Sequence, residues 1–136
     1  MRTTWSWQDG GQAFAIDRRV VIAMLDAPDL APVPFAPSWL VGVVNRFGRA
    51  VAVVDCGHLG GLVERLSPVR QVLIVRAAGA ELGLALCESA VERAVSRVGD
   101  PAGFFDVLDD AAGTRVVVVE RLAHSIAEWL GGVPGA

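Results

Sequence analysis

The sequence predicts a mainly β protein of one domain, made of two similar half-domains, with a helix at the C-terminal end. Three observations predict it. The apolar runs are strand-sized, at residues 20–25, 40–44, 50–54 and 116–119, and each falls short of the roughly 18 apolar residues that a membrane span needs. Glycine-bearing turn signals separate these runs. One unit also occurs twice: Gly48, a buried-type strand from Arg49 to Val54, then Asp55; and Gly113, a strand from Thr114 to Val119, then Glu120. An apolar strand precedes each copy (40–44 and 104–108), and a hairpin strand precedes that (12–16 and 82–86). The offset of about 65 residues marks a weak internal repeat.

Composition fits this outline. The chain's 136 residues can bury one good core, or two small cores sharing a wall; 53% are hydrophobic and the mean hydropathy is +0.47, which suits sheets packed on both faces. The formal net charge is −3, and all twelve basic residues are arginine, scattered singly or in the Arg18-Arg19 pair. No basic stripe interleaved with aromatics exists, so nucleic acid is not an expected partner. Met1-Arg2-Thr3-Thr4 lacks an apolar leader, and with no membrane-length segment a cytoplasmic protein is expected.

Taken in order, Trp5 and Trp7, then Phe14 and Ile16, alternate with other residues across Asp9-Gly10-Gly11, a hairpin pattern. A strand follows at 20–25. Pro28, Pro32, Pro34 and Pro37 then forbid helix and interior sheet, so an extended surface loop is expected. Strands at 40–44 and 50–54 flank Asn45–Arg49, and residues 57–66 read as glycine-rich, then briefly helical. Residues 72–75 and 82–87 form another hairpin across 77–80. Residues 90–98 fit either a helix, with Val91, Val95 and Val98 in register, or short strands. A turn at 99–103 and strands at 104–108 and 115–119 follow. The last element, about 120–130, places Leu122, Ile126 and Trp129 on one face of an amphipathic helix.

Few residues could carry chemistry. Ser67, His58 and Asp55 could be drawn as a triad, but no nucleophile-elbow glycines frame the serine. Cys56, His58, Cys87 and His124 match no zinc spacing, so no metal or other cofactor is expected. The cysteines are too far apart for a CxxC motif and read as reduced, buried thiols. Gly57-His58-Leu59-Gly60-Gly61 lacks the ending of a phosphate loop and the spacing of a dinucleotide fingerprint. The Asp109-Asp110 pair reads as turn residues. The chain is therefore expected not to be an enzyme; a small-ligand protein or enzyme on a β-barrel scaffold is the remote alternative.

The residues from Phe14 to Cys56 carry a resemblance. Phe14-Ala15-Ile16-Asp17, Val20-Val21 with Met24, Pro34 and Pro37, Trp39 through Asn45, Gly48, and Val51 through Asp55 resemble the CheW-like domain pattern. The later strands match more loosely. The resemblance implies one domain over residues 1–136, with two intertwined SH3-like five-stranded β-barrels sharing a hydrophobic core and a C-terminal helix. It implies an adaptor of a chemosensory array that binds the cytoplasmic tip of chemoreceptors, the regulatory domain of a CheA-type histidine kinase and other CheW-like proteins. Carried over by position, Val21, Gly42 and Asn45 are receptor-facing candidates, with Arg46, Phe47 and Trp39 beside them. The sequence departs from the family at Phe47, where the family has arginine, and at Ala23, Ala52 and Cys87. Those departures imply an altered surface, and the alternative reading is an accessory paralogue that binds receptors or other array proteins without coupling to the kinase.

Overall fold

The computed structural model describes residues 2–62, 68–77, 79–95 and 99–131, the side chains of Ala77 and 129–131 excepted. Among the described residues, eleven strands form two sheets. They are β1 (Arg2–Asp9), β2 (Gln12–Asp17), β3 (Val21–Asp26), β4 (Leu40–Arg46), β5 (Arg49–Val54), β6 (Gln71–Ala77), β7 (Ala80–Leu86), β8 (Val91–Val95), β9 (Asp100–Ala102), β10 (Phe105–Val107) and β11 (Arg115–Val117). Among the described residues the α-helices are a single turn, α1 (Cys56–Leu59), and α2 (Val119–Gly131), and a short 3-10 helix, Arg18–Val20, joins β2 to β3. No described helix is long and apolar enough to cross a membrane.

One sheet has the order β8-β1-β2-β11-β10-β9 and the other β3-β6-β7-β5-β4. These orders correspond position by position. In each, a hairpin (β1–β2 or β6–β7) pairs in parallel with the second strand of an antiparallel couple (β10–β11 or β4–β5): β2 with β11, and β7 with β5. The two repeat copies are thus β5 and β11, each beginning after a turn glycine and ending at an acid that enters a helix. Asp55 caps α1 by accepting the His58 N–H at 3.1 Å. Glu120 sits in the first turn of α2, where a carboxylate meets the positive end of the helix dipole. The sheets are not the two halves of the sequence, however. β1 and β2 leave their own half and complete the sheet built from β8 to β11.

Burial follows the two-residue period of the strands. Val51, Val53, Val72, Ile74 and Ala85 fill the inner face of the five-stranded sheet. The alternate residues, Val54, Leu73, Val75, Leu84 and Leu86, face a central wall shared with Trp7, Phe14, Ile16, Phe105 and Val117 of the other sheet. Ala15, Leu108 and Val116 form a third, small core. Aromatic contacts tie the wall together: Trp7 stacks on Phe14 with centroids 5.8 Å apart, and Phe14 meets Phe105 at 5.9 Å. Val119 and Leu122 of α2 close this wall. A strand buried on both faces needs nearly continuous apolar sequence, and that is the source of the high hydropathy.

The mainly β architecture with a C-terminal helix is as expected, while several details are corrected or decided between alternatives. The sheets have six and five strands and do not close as barrels; β9, inside the expected turn at 99–103, adds an edge strand. Residues 91–95 are strand, because β1 offers them a partner from Arg2 to Ser6. The connection between β4 and β5 shrinks from five residues to two, since Asn45 and Arg46 still pair with Ala50 and Arg49. Val119 belongs to α2, not to the last strand. Cys56 is buried but Cys87 only half-buried, and both are free. The expected helical segment at 63–66 and the side chain of Trp129 lie outside the described residues.

Candidate partner-binding surface

The β4–β5 turn gathers three of the residues singled out from the sequence. Phe47 and Gly48 reverse the chain with φ of +51° and +81°, the geometry of a type I′ hairpin turn. Asn45 fixes it: its Oδ1 accepts the Gly48 N–H at 2.9 Å. Phe47 is 91% exposed. Arg46 lies beneath it, with the guanidinium carbon 4.8 Å from the ring centroid. The Arg46 Nε donates to Glu81 Oε1 at 2.7 Å, and Arg76 Nη2 approaches Glu81 Oε2 at 3.5 Å. Hydrogen bonding from Arg46 holds the Glu81 carboxyl below its ordinary pKa. The β6–β7 hairpin, which carries Arg76 and Glu81, therefore braces the β4–β5 tip.

Gly42 lies behind this tip at a bulge of β4. A Cβ there would stand 2.7 Å from the Ala31 carbonyl oxygen. The proline-bearing loop pairs with β4 at this point, through reciprocal Ala31 and Val43 backbone bonds of 2.9 Å. The close approach that a strand glycine permits is made here by the chain's own loop. Trp39 stands in the central wall at 9% exposure, and its carbonyl accepts the Asp55 N–H at 2.8 Å. It sits in the core because its ring is the large apolar body available where the loop re-enters the sheet.

Val21 is elsewhere. It opens β3, which forms one edge of the five-stranded sheet while β4 forms the other. There it lines a cleft of about 620 Å³ with Arg2, Asp17, Arg18 and Arg19. Hydrogen bonding from Arg19 keeps Asp17 below the usual carboxylate range. The structure thus brings Asn45, Arg46 and Phe47 together, sets Gly42 and Trp39 behind them, and leaves Val21 on the opposite edge.

Sequence reasoning missed three surface residues. Arg76 and Glu81 gave no signal, since they meet Arg46 only through the pairing of separate hairpins. Phe35 did leave one. It follows Pro34 in the turn closed by Ala36 N–H to Val33 O at 3.3 Å, with φ of +60° and its side chain fully exposed. Proline suits the second position of a type II turn, whose third normally takes glycine; an aromatic there is forced into solvent.

The residues that could carry chemistry are occupied otherwise. Asp55 is 2% exposed and caps α1. Cys56 points into the wall, and burial pushes its thiol pKa up. His58 Nε2 lies 2.6 Å from Ser38 Oγ, a bond that fastens the proline-bearing loop to α1. Ser67 lies outside the described residues. Among the described residues, no group of three or more His, Cys, Asp or Glu side chains could hold a metal.

A family model described as CheW-like domain matches residues 8–103. Among solved structures, the chain is similar to the scaffolding protein TtCheW from Thermoanaerobacter tengcongensis, with a TM-score of 0.74 at 14% identity, over 99% of this chain and 95% of that one. No curated protein matches the chain in sequence.

Proposed function

The chain belongs to the CheW-like domain family, and from that premise we propose that it is a non-enzymatic adaptor in a bacterial chemosensory array, working in the cytoplasm between chemoreceptors and a CheA-type histidine kinase. The observation that carries this reading is the span of the family match, residues 8–103, which takes in both hairpins that frame the candidate surface. The local chemistry supports it. The acid, thiol and imidazole at 55–58 serve a helix cap, a core and a loop tether, while bulky apolar side chains at two turns are left in water. Such groups mark surfaces that meet other molecules.

The proposed receptor-facing set is Asn45, Arg46 and Phe47 at the surface, Gly42 and Trp39 shaping it from behind, and Val21 on the far edge as a separate contact. The protein should co-elute with a chemoreceptor cytoplasmic domain or with a CheA regulatory domain. If it binds neither at tens of micromolar, a weak but usable affinity, the adaptor reading fails. A second reading, an accessory paralogue that binds array proteins without coupling to the kinase, is favoured by Phe47. The exposed ring stands where the family carries arginine, so a charged contact becomes an apolar one. Kinase activity measured with and without this protein separates the two: activation supports the coupler, and inhibition or no effect the accessory role.

A further inference from the structure

Phe47 is costly where it stands. A residue with a Cβ is strained in the left-handed region, and a ring that is 91% exposed gains almost no burial in return. Asparagine or glycine would form the same turn without that penalty. The ring is also held in place, since Arg46 lies under it and is itself bonded to Glu81. A fixed ring loses little conformational freedom on binding.

The charge around the ring is mainly positive. Arg46 and Arg49 face each other across the hairpin as its last pair. Arg76, whose side chain is 59% exposed, comes from the neighbouring hairpin. Arg46 and Arg76 share one carboxylate, Glu81, and Asp29 lines a cleft with Gly48 and Arg49, so among the described residues three arginines face two carboxylates at the tip, on a chain whose net charge is −3. Between the two hairpin tips runs a groove of about 510 Å³, lined by Arg49, Ala50, Arg76, Gly79 and Glu81 among others. The tip thus offers an apolar knob beside a groove with arginines on both walls.

We infer that this tip docks an acidic segment of a partner protein in which an apolar residue lies between carboxylates. Phe47 packs on the apolar residue, and Arg49 and Arg76 pair with the acids while Arg46 keeps the ring in position. The inference rests on the adaptor reading for its premise that the protein acts by binding proteins. Single-stranded nucleic acid also takes arginine and aromatic side chains, but it needs a positive track along several nucleotides, and the tip offers only three arginines on an acidic protein.

The test uses the full chain and a fluorescent 15-residue peptide with a Glu-Glu-Leu-Glu-Glu centre, read by anisotropy at low and high salt. Three controls accompany it: glutamine in place of the glutamates, serine in place of leucine, and oligo-dT. The acidic peptide should saturate, weaken about tenfold or more with Phe47→Asn and severalfold with Arg49→Glu or Arg76→Glu, and weaken as salt rises. Phe47→Asn should melt at the same temperature as the parent or higher, which excludes unfolding as the cause of lost binding. The inference is overturned if the acidic peptide does not bind, if the glutamine peptide binds equally well, if Phe47→Asn leaves binding unchanged, or if oligo-dT alone binds. Receptor and kinase regulatory domains run in parallel keep the two ideas separable. Binding to either one with no effect of Phe47→Asn removes the docking site and leaves the adaptor; binding to neither removes the adaptor itself.

Discussion

The β4–β5 and β10–β11 couples hold equivalent places in the two sheets and end in opposite ways. At the first tip, two residues reverse the chain and the Phe47 ring is left in water. At the second, the longer 108–114 connection folds on its own polar groups. Asp110 accepts the Thr114 N–H at 2.9 Å and its hydroxyl at 2.7 Å, Gly113 N–H reaches the Asp110 carbonyl at 3.1 Å, and Thr114 is 1% exposed. Gln12 adds a bond from its Nε2 to the Gly113 carbonyl at 3.1 Å, tying this loop to β2. One topological position has therefore been used twice, once to close the structure and once to present a side chain. Where a turn satisfies its own donors and acceptors, it stabilises; where it leaves a strained apolar group outside, it is available to a partner.

The sharpest way to break this comparison is at the glycines. Gly42→Ala in β4 drives a Cβ to within 2.7 Å of the Ala31 carbonyl oxygen, which is backbone and cannot swing aside. A loss of about 3 kcal/mol in urea denaturation is expected. Gly113→Ala, at φ of +57° with open space around it, should cost only the left-handed penalty, about 1–2 kcal/mol. Equal losses would mean that the loop does not press on β4 as described.

Asp110→Ala comes next. It strips two hydrogen bonds from a buried threonine, and about 2 kcal/mol should be lost. The same carboxyl gives a pH dependence. Hydrogen bonding from the Thr114 backbone, with its hydroxyl, keeps the Asp110 pKa below the ordinary value. A carboxylate depressed in the folded state contributes stability above its unfolded value and loses it as pH falls through the folded value. Stability should therefore drop below about pH 4, and Asp110→Asn should flatten that part of the curve. Glu81→Gln, at the other tip, should change stability little, because partly exposed ion pairs contribute little.

One effect has the opposite sign. Phe47→Asn should raise stability by about 1 kcal/mol, seen as a higher melting temperature. A fall would show that the ring supports the fold, and the contrast between the two tips would collapse.

Much of this fold was legible in the sequence. Trp5, Trp7, Phe14 and Ile16 announced the first hairpin by alternation, and Gly48 with Asp55 and Gly113 with Glu120 marked equivalent strands. The surface was legible only in part. Asn45, Arg46 and Phe47 came together because they are neighbours in the chain. Glu81 and Arg76, which brace them, come from another hairpin and left no local trace. Trp39 reads equally well as an anchor or as core until the wall that receives it is known.

The sequence by itself determined where most of the strands lie and which acids close the two repeated strands, because period and turn chemistry act over a few residues. Tertiary structure alone decided that β2 lies beside β11 and β5 beside β7, that 91–95 is strand, and that Val21 and Phe47 sit at opposite edges of one sheet. Those choices join residues as distant as Phe14 and Arg115. They are fixed by burying both faces of each sheet at once, and no local stretch of sequence carries that condition.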